Sequence, residues 1–160
     1  MAIPKNRLAV STDVLDAVDW GLLALLRSNA RLTNAALAAS VGIAASTCLE
    51  RVRSLVSRGV IRRFTVDIDP AALGLGVQAL ISVNIHSGAR SQITPFAARI
   101  RELPEVMQFF FVGGNEDFLV HVAVRDTDGL RSFVLDNLSA DPVVASTRTS
   151  IIFDHVAPSL

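Results

Sequence analysis

The segment of this 160-residue chain with the most chemistry in its spacing runs from Ala45 to Arg58. Stepped at 100° per residue, it places Ala45, Cys48, Leu49, Val52, Leu55 and Val56 on one arc. Ser46, Thr47, Glu50, Arg51, Arg53, Ser54, Ser57 and Arg58 fall on the other. The apolar arc docks on neighbours, while a polar arc with three arginines faces outward and suits a polyanion. Ser46, Thr47 and Glu50 are short enough to meet base edges when a helix N-terminus enters a major groove. Arg51, Arg53 and Arg58 flank them and suit phosphates. Cys48 lies within the apolar arc and reads as a small core residue, not a nucleophile. A second cluster, Gly113-Gly114-Asn115-Glu116 followed by Asp117, reads as a turn between strands. His86, His121 and His155 are far apart and, with one cysteine, make no metal site. No Gly-rich phosphate loop, nucleophile elbow or Ser/His/Asp order stands out, so no catalytic residue, metal or cofactor is expected.

The elements that carry these residues differ between the two halves. Asp16, with Asp19 in the first turn, starts a helix that buries Val18, Leu22, Leu25 and Leu26 and ends at Asn29. Gly21 within it is either a close packing contact or a plain cost. Thr33 caps a second helix from Asn34 to about Val41, and Gly42 closes the turn into the third. Three short helices with a tight turn between the last two describe a helix-turn-helix unit. Thr33 and Asn34 can hold a phosphate at the start of the second helix. Arg31, Arg62 and Arg63 extend the basic surface, and Lys5 and Arg7 belong to an N-terminal arm.

After Gly59 the period changes. Ile61 to Ile68 reads as a hinge strand and Pro70 to Gly74 as a turn. Val77, Ala79, Ile81, Val83 and Ile85 alternate with Gln78, Leu80, Ser82 and Asn84, as a strand with one buried face does. Ile93, Phe96, Ala97 and Ile100 mark a helix ending before Pro104, and Val106 to Val112 a strand. Phe118, Val120, Val122 and Val124 mark another strand, then Leu130, Phe133, Val134 and Leu138 a helix, and Val143 to Phe153 the last strand. The order β-α-β-β-α-β is that of a ferredoxin-like domain with an antiparallel sheet. The expected fold class is therefore α+β: a three-helix (winged) helix-turn-helix over 1–60, a hinge strand and turn over 61–74, and the ferredoxin-like domain over 75–160. Helices cover one sheet face. The other also carries apolar groups, so a second copy is expected over it, as a homodimer.

Composition agrees with a folded chain, 51% hydrophobic and 19% charged, and excludes a disordered or collagenous protein. The formal charge of zero conceals a split. Nine of the fifteen basic and four of the fifteen acidic residues lie at or before Arg63, leaving six and eleven beyond it. A basic module joined to an acidic one suggests a polyanion partner for the first. No apolar run approaches the roughly 20 residues of a membrane span. The start, MAIPKNRLAVSTD, lacks the apolar stretch of a secretory signal. With a single cysteine, a cytoplasmic protein is expected.

The wording then narrows the reading. LDAVD at Leu15 to Asp19, ARLTNAAL at Ala30 to Leu37, CLERVRSLVSRGVI at Cys48 to Ile61, DPAALG at Asp69 to Gly74, GGNEDFLV at Gly113 to Val120 and TRTSIIF at Thr147 to Phe153 together resemble the leucine- and asparagine-responsive (Lrp/AsnC) regulators over about residues 14–156. The resemblance implies double-stranded DNA as a partner, dimers assembled into octamers, and an amino-acid effector bound between subunits. It places that effector on Gly113, Gly114, Asn115, Glu116 and Asp117, near a neighbour's last strand at about Ser150, Ile151 and Ile152. There the glycine N–H groups would cradle a carboxylate and Asp117, with Asn115, would accept from an ammonium. Sirohaem decarboxylases also look like this family, and an enzyme of that kind would need His86 and His121 to converge on a tetrapyrrole. The chain departs from the family pattern in three places. Ala44 and Ala45 stand where a Ser cap and Pro are usual, which would move the helix start to Ser46 or Thr47 with a Thr47/Glu50 capping box. Asn115 replaces the first Asp of a G-D-x-D turn, and Trp20 stands where a charge is common.

Overall fold

Asp16 opens the first helix, α1 (Ala17–Ser28), through a reciprocal cap. Its carboxylate accepts from Asp19 N–H at 2.9 Å, and the Asp19 carboxylate accepts from Asp16 N–H at 3.4 Å. Such a box satisfies two helix-end donors that would otherwise lack partners. Thr33 Oγ1 likewise accepts from Ala36 N–H and starts α2 (Asn34–Val41), which ends at Gly42 in the left-handed region at φ 72°. The third helix, α3 (Ala45–Ser57), turns 101° from α2, within the range of a helix-turn-helix. It starts at Ala45 with no side-chain cap, so neither the later start nor the Thr47/Glu50 box forms. Asn34 instead ties the starts of α2 and α3 together, its amide donating to the Ala45 carbonyl at 2.7 Å.

These contacts come from a computed structural model in which residues 14–154 are described; Lys5, Arg7 and His155 lie outside them. The described residues divide into two compact units between 67 and 68. In the first, Leu22, Leu37, Ala38 and Cys48 make a buried cluster flanked by Val18, Leu25, Leu26, Val41 and Val52, and Leu55 is fully buried as well. A Cβ on Gly21 would sit 3.1 Å from Val41 Cγ1, so this glycine is a close packing contact between α1 and α2. The apolar arc of α3 docks through one side, where Leu55 and Cys48 are fully buried. Leu49 and Val56, together at the other margin, stay 40% and 45% exposed, because two short partner helices do not wrap the whole arc.

The expected hinge strand from Ile61 to Ile68 does not form. That segment has no ladder partner among the described residues, and Phe64, Val66 and Ile68 are each more than half exposed. An alternating pattern specifies extended backbone with one apolar side; it does not supply the neighbour that makes a strand.

The second unit begins at a single 3-10 turn, Pro70–Leu73, capped by Asp69. It continues as β1 (Val77–Ile85), α4 (Ile93–Ile100), β2 (Val106–Phe111), β3 (Phe118–Val124), α5 (Thr127–Val134) and β4 (Val144–Ile152). The sheet order is β2-β3-β1-β4, every neighbouring pair antiparallel. This is the ferredoxin-like plait that the alternation implies. A wide π turn, Leu135–Ser139, prolongs α5, and the β2 register shifts across Met107. Ala79, Ile81, Val83, Phe118, Val120 and Val122 are fully buried beneath Phe96, Ala97, Ile100, Leu130 and Phe133. Phe118 is the aromatic centre, with the rings of Phe109, Phe111 and Phe96 at 4.9, 5.2 and 5.5 Å. The opposite face mixes Leu80, Leu119 and Ile152 with Gln78, Ser82, Asn84, His121, Arg148 and Ser150, all set there by register.

Candidate functional site

In the helical unit, the capped start of α1 and the buried middle of α3 fix which side of α3 meets solvent. Ser46, Thr47, Glu50 and Arg53 all lie on the exposed side. Arg53 is joined to no carboxylate among the described residues. Arg51 departs from the expected outward placement. Its guanidinium turns back to α1, donating to Asp16 at 2.7 Å and to the buried Asp19 at 2.9 Å. At the edge of the polar arc it lies within reach of the negative capping box, and ionic hydrogen bonding holds it there. The backbone N–H of Asp19, then Arg51, keep the Asp16 carboxyl below the usual range, and the same carboxylates raise the guanidinium's. Arg58, half-buried, is the C-cap just past α3, its backbone N–H donating to the Ser54 carbonyl. Thr33 and Asn34 are both engaged in organising α2 and α3, so the α2 start is first a structural joint. Trp20 stands 62% exposed on α1, and burial pushes the Cys48 thiol's pKa up, as suits an inert core residue.

In the plait, the turn after β2 presents Gly113, Gly114 and Asn115 to solvent, with Gly114 at φ 136°. Asp117 does not behave as expected. One carboxylate oxygen accepts from Ile85 N–H at 2.8 Å, and the other holds the Arg90 guanidinium. Its carboxylate thus closes the end of β1 and is largely shielded, its side chain 13% exposed. An ammonium reaching Asp117 would have to displace Arg90. Glu116 is half-buried and faces Arg148 of β4 at 3.8 Å, while Ser150 and Ile151 lie exposed farther along the same strand. Arg90 and Arg148 carry the charge of this region, and neither stands out from spacing. Only the β1–β4 register, which sets Arg148 opposite Ser82, brings Arg148 here.

The histidines do not converge. His121 is buried and bonded to Gln78 at 3.0 Å, whereas His86 is exposed beyond the end of β1. His121 stands opposite Leu80, so six strand residues, roughly 20 Å, separate the two. Among the described residues no group of three His, Cys, Asp or Glu side chains is placed to hold a metal, and no single helix is long and apolar enough to cross a membrane.

With that geometry in place, comparison with known proteins is specific. A family model described as the Lrp/AsnC ligand binding domain matches residues 78–159, and one described as a winged helix-turn-helix DNA-binding domain matches residues 15–62. The HTH-type transcriptional regulator AldR of Mycobacterium tuberculosis is 54% identical over 155 residues, covering 94% of this chain and 87% of that protein. Its crystal structure superposes with a TM-score of 0.77 at 51% identity, over 89% of this chain and 95% of the other. A Neisseria meningitidis transcriptional regulator, solved as its L-Met complex, gives 0.82 at 33% identity, over 91% and 94%.

Proposed function

The chain belongs to the Lrp/AsnC family of transcriptional regulators, with a DNA-binding helix-turn-helix and a ligand-binding domain, and from that premise we propose that an amino-acid-type effector bound in the plait controls its assembly and grip on DNA. The observation that carries the DNA half is the exposed strip of α3, where Ser46, Thr47 and Glu50 stand ahead of Arg53. Short polar side chains near a helix start read base edges, and the arginine behind them anchors to phosphate. Arg58, Thr33 and Asn34 sit around that strip as supporting contacts. The active species is a homodimer, further assembled to an octamer, in the cytoplasm. The exposed Phe64, Val66 and Ile68 support self-association, since such a row asks for a partner.

The effector half is supported by the solved L-Met complex of the Neisseria relative and by the open turn at Gly113 to Asn115, with Glu116 facing Arg148 of the last strand; a neighbour's Ser150 and Ile151 would complete the site. A ligand shifts assembly only as far as it binds one assembly better than another. The test is a thermal-shift screen of the twenty amino acids, followed by DNA binding with and without each hit. At least one should raise the melting temperature and change the apparent DNA affinity. A protein stabilised by none of them would lose the effector reading. One that decarboxylates sirohaem and shows no salt-sensitive DNA shift would lose the regulator reading as well.

A further inference from the structure

The apolar arc of α3 is wider than the seat that receives it. Cys48 and Leu55 are fully buried at one side of the arc, while Leu49 and Val56 at the other stay 40% and 45% exposed. A helix placed by burial alone would roll toward Leu49 and Val56, because burying apolar surface is favourable and has no preferred direction. The start of α3 offers little against such a roll. Ala44 supplies no side-chain cap, and the bond from Asn34 to the Ala45 carbonyl fixes where the helix begins, not how far it is turned.

Arg51 stands on the opposite flank. It lies three residues after Cys48 and four before Leu55, beside the docked side of the helix. Its Nη1 donates to Asp16 at 2.7 Å and to Asp19 at 2.9 Å, and the α1 capping box holds both carboxylates in place. Asp19 is buried, so drawing Arg51 away would leave a buried carboxylate without its cation, a costly state. Ionic hydrogen bonds are short and directional, and these pull α3 against the roll that burial favours.

We infer that Arg51 determines sequence specificity without touching DNA: tied to the α1 cap, it sets the rotation of α3 at which Ser46, Thr47 and Glu50 face the bases. The inference rests on the DNA-binding reading above and names the residue that aims its reading strip. A roll of about 50°, half of one residue's step around a helix, would carry those side chains about 4 Å along the helix surface. That exceeds the tolerance of a hydrogen bond to a base edge. Phosphate contacts made by long, mobile arginines such as Arg53 would survive it, since they carry no sequence information and can be remade. Arg51 is thus a positioning residue, and its loss should separate selectivity from general affinity.

The experiment uses the unaltered full-length protein to select a duplex from a random-sequence pool. Affinities for that duplex and for random-sequence duplex are then compared across a salt series. Arg51→Gln should lose about tenfold or more on the selected duplex, the scale of a lost base contact, while random-sequence affinity and its salt slope stay unchanged. Arg51→Lys, which keeps the charge but not the planar fork, should recover part of the selectivity. Adding Val56→Gln to Arg51→Gln should recover part as well, because a polar side chain at that margin removes the gain from rolling. Should Arg51→Gln not fold, Asp16→Asn carries the test: it still caps α1, leaves Arg51 one carboxylate fewer, and should lower selectivity in the same sense. Equal losses on both duplexes, with a slope lower by about one contact, would make Arg51 a phosphate contact and overturn the inference. Unchanged selectivity, or selectivity that Val56→Gln does not restore, would overturn it and leave the DNA-binding reading standing. An unaltered protein that selects no duplex would overturn both.

Discussion

Arg51 reaches back 35 residues to Asp16 and 32 to Asp19, and so joins the recognition helix to the cap of α1. Nothing in the spacing of α3 shows this, because helical periodicity describes one element and the partner lies on another. The pair has a pH signature. Asp16, held below the usual carboxyl range by Asp19 N–H and by Arg51, adds stability that is complete above the unfolded-state value and lost as pH falls through the folded-state value. Melts followed by circular dichroism should therefore weaken below the ordinary aspartate range, and Asp16→Asn, which still caps, should flatten that dependence. Asp117 invites a parallel test. Asp117→Asn should destabilise the unliganded protein by about 1–2 kcal/mol, because the ionic bond to Arg90 is lost. An unliganded melting temperature left unchanged would restore Asp117 to the role of a waiting ammonium acceptor.

At the scale of elements, α1, α2, α3 and all four strands of the plait were legible, β1 most directly because it shows one buried face at the period of its backbone. What failed was anything needing a neighbour. The alternation of Phe64, Val66 and Ile68 was visible, but no strand among the described residues pairs with it. The apolar arc of α3 was visible too, yet how much of it docks depended on the reach of α1 and α2. The π turn at Leu135–Ser139 left no local mark. Because Leu55 is fully buried, Leu55→Ala should cost about 2–5 kcal/mol in urea denaturation. A loss under 1 kcal/mol would mean that α3 is not anchored through this arc.

Taken whole, the molecule is electrically divided: the excess positive charge at or before Arg63 is matched by excess negative charge beyond it. That division was legible from counting, as was the pairing of a helix-turn-helix with a plait. The arrangement of the charges was not, because Arg51, Arg90 and Arg99 are each turned onto carboxylates by the fold. Arg53 keeps its charge outward on α3, so the central claim is most exposed there. The decisive measurement is the affinity for a random-sequence duplex between 50 and 200 mM salt, for the natural protein and for Arg53→Ala. The logarithm of affinity should fall linearly with that of salt, and Arg53→Ala should weaken binding and lower the slope by about one phosphate contact. Binding that ignores salt, or a slope identical in the variant, would contradict the account.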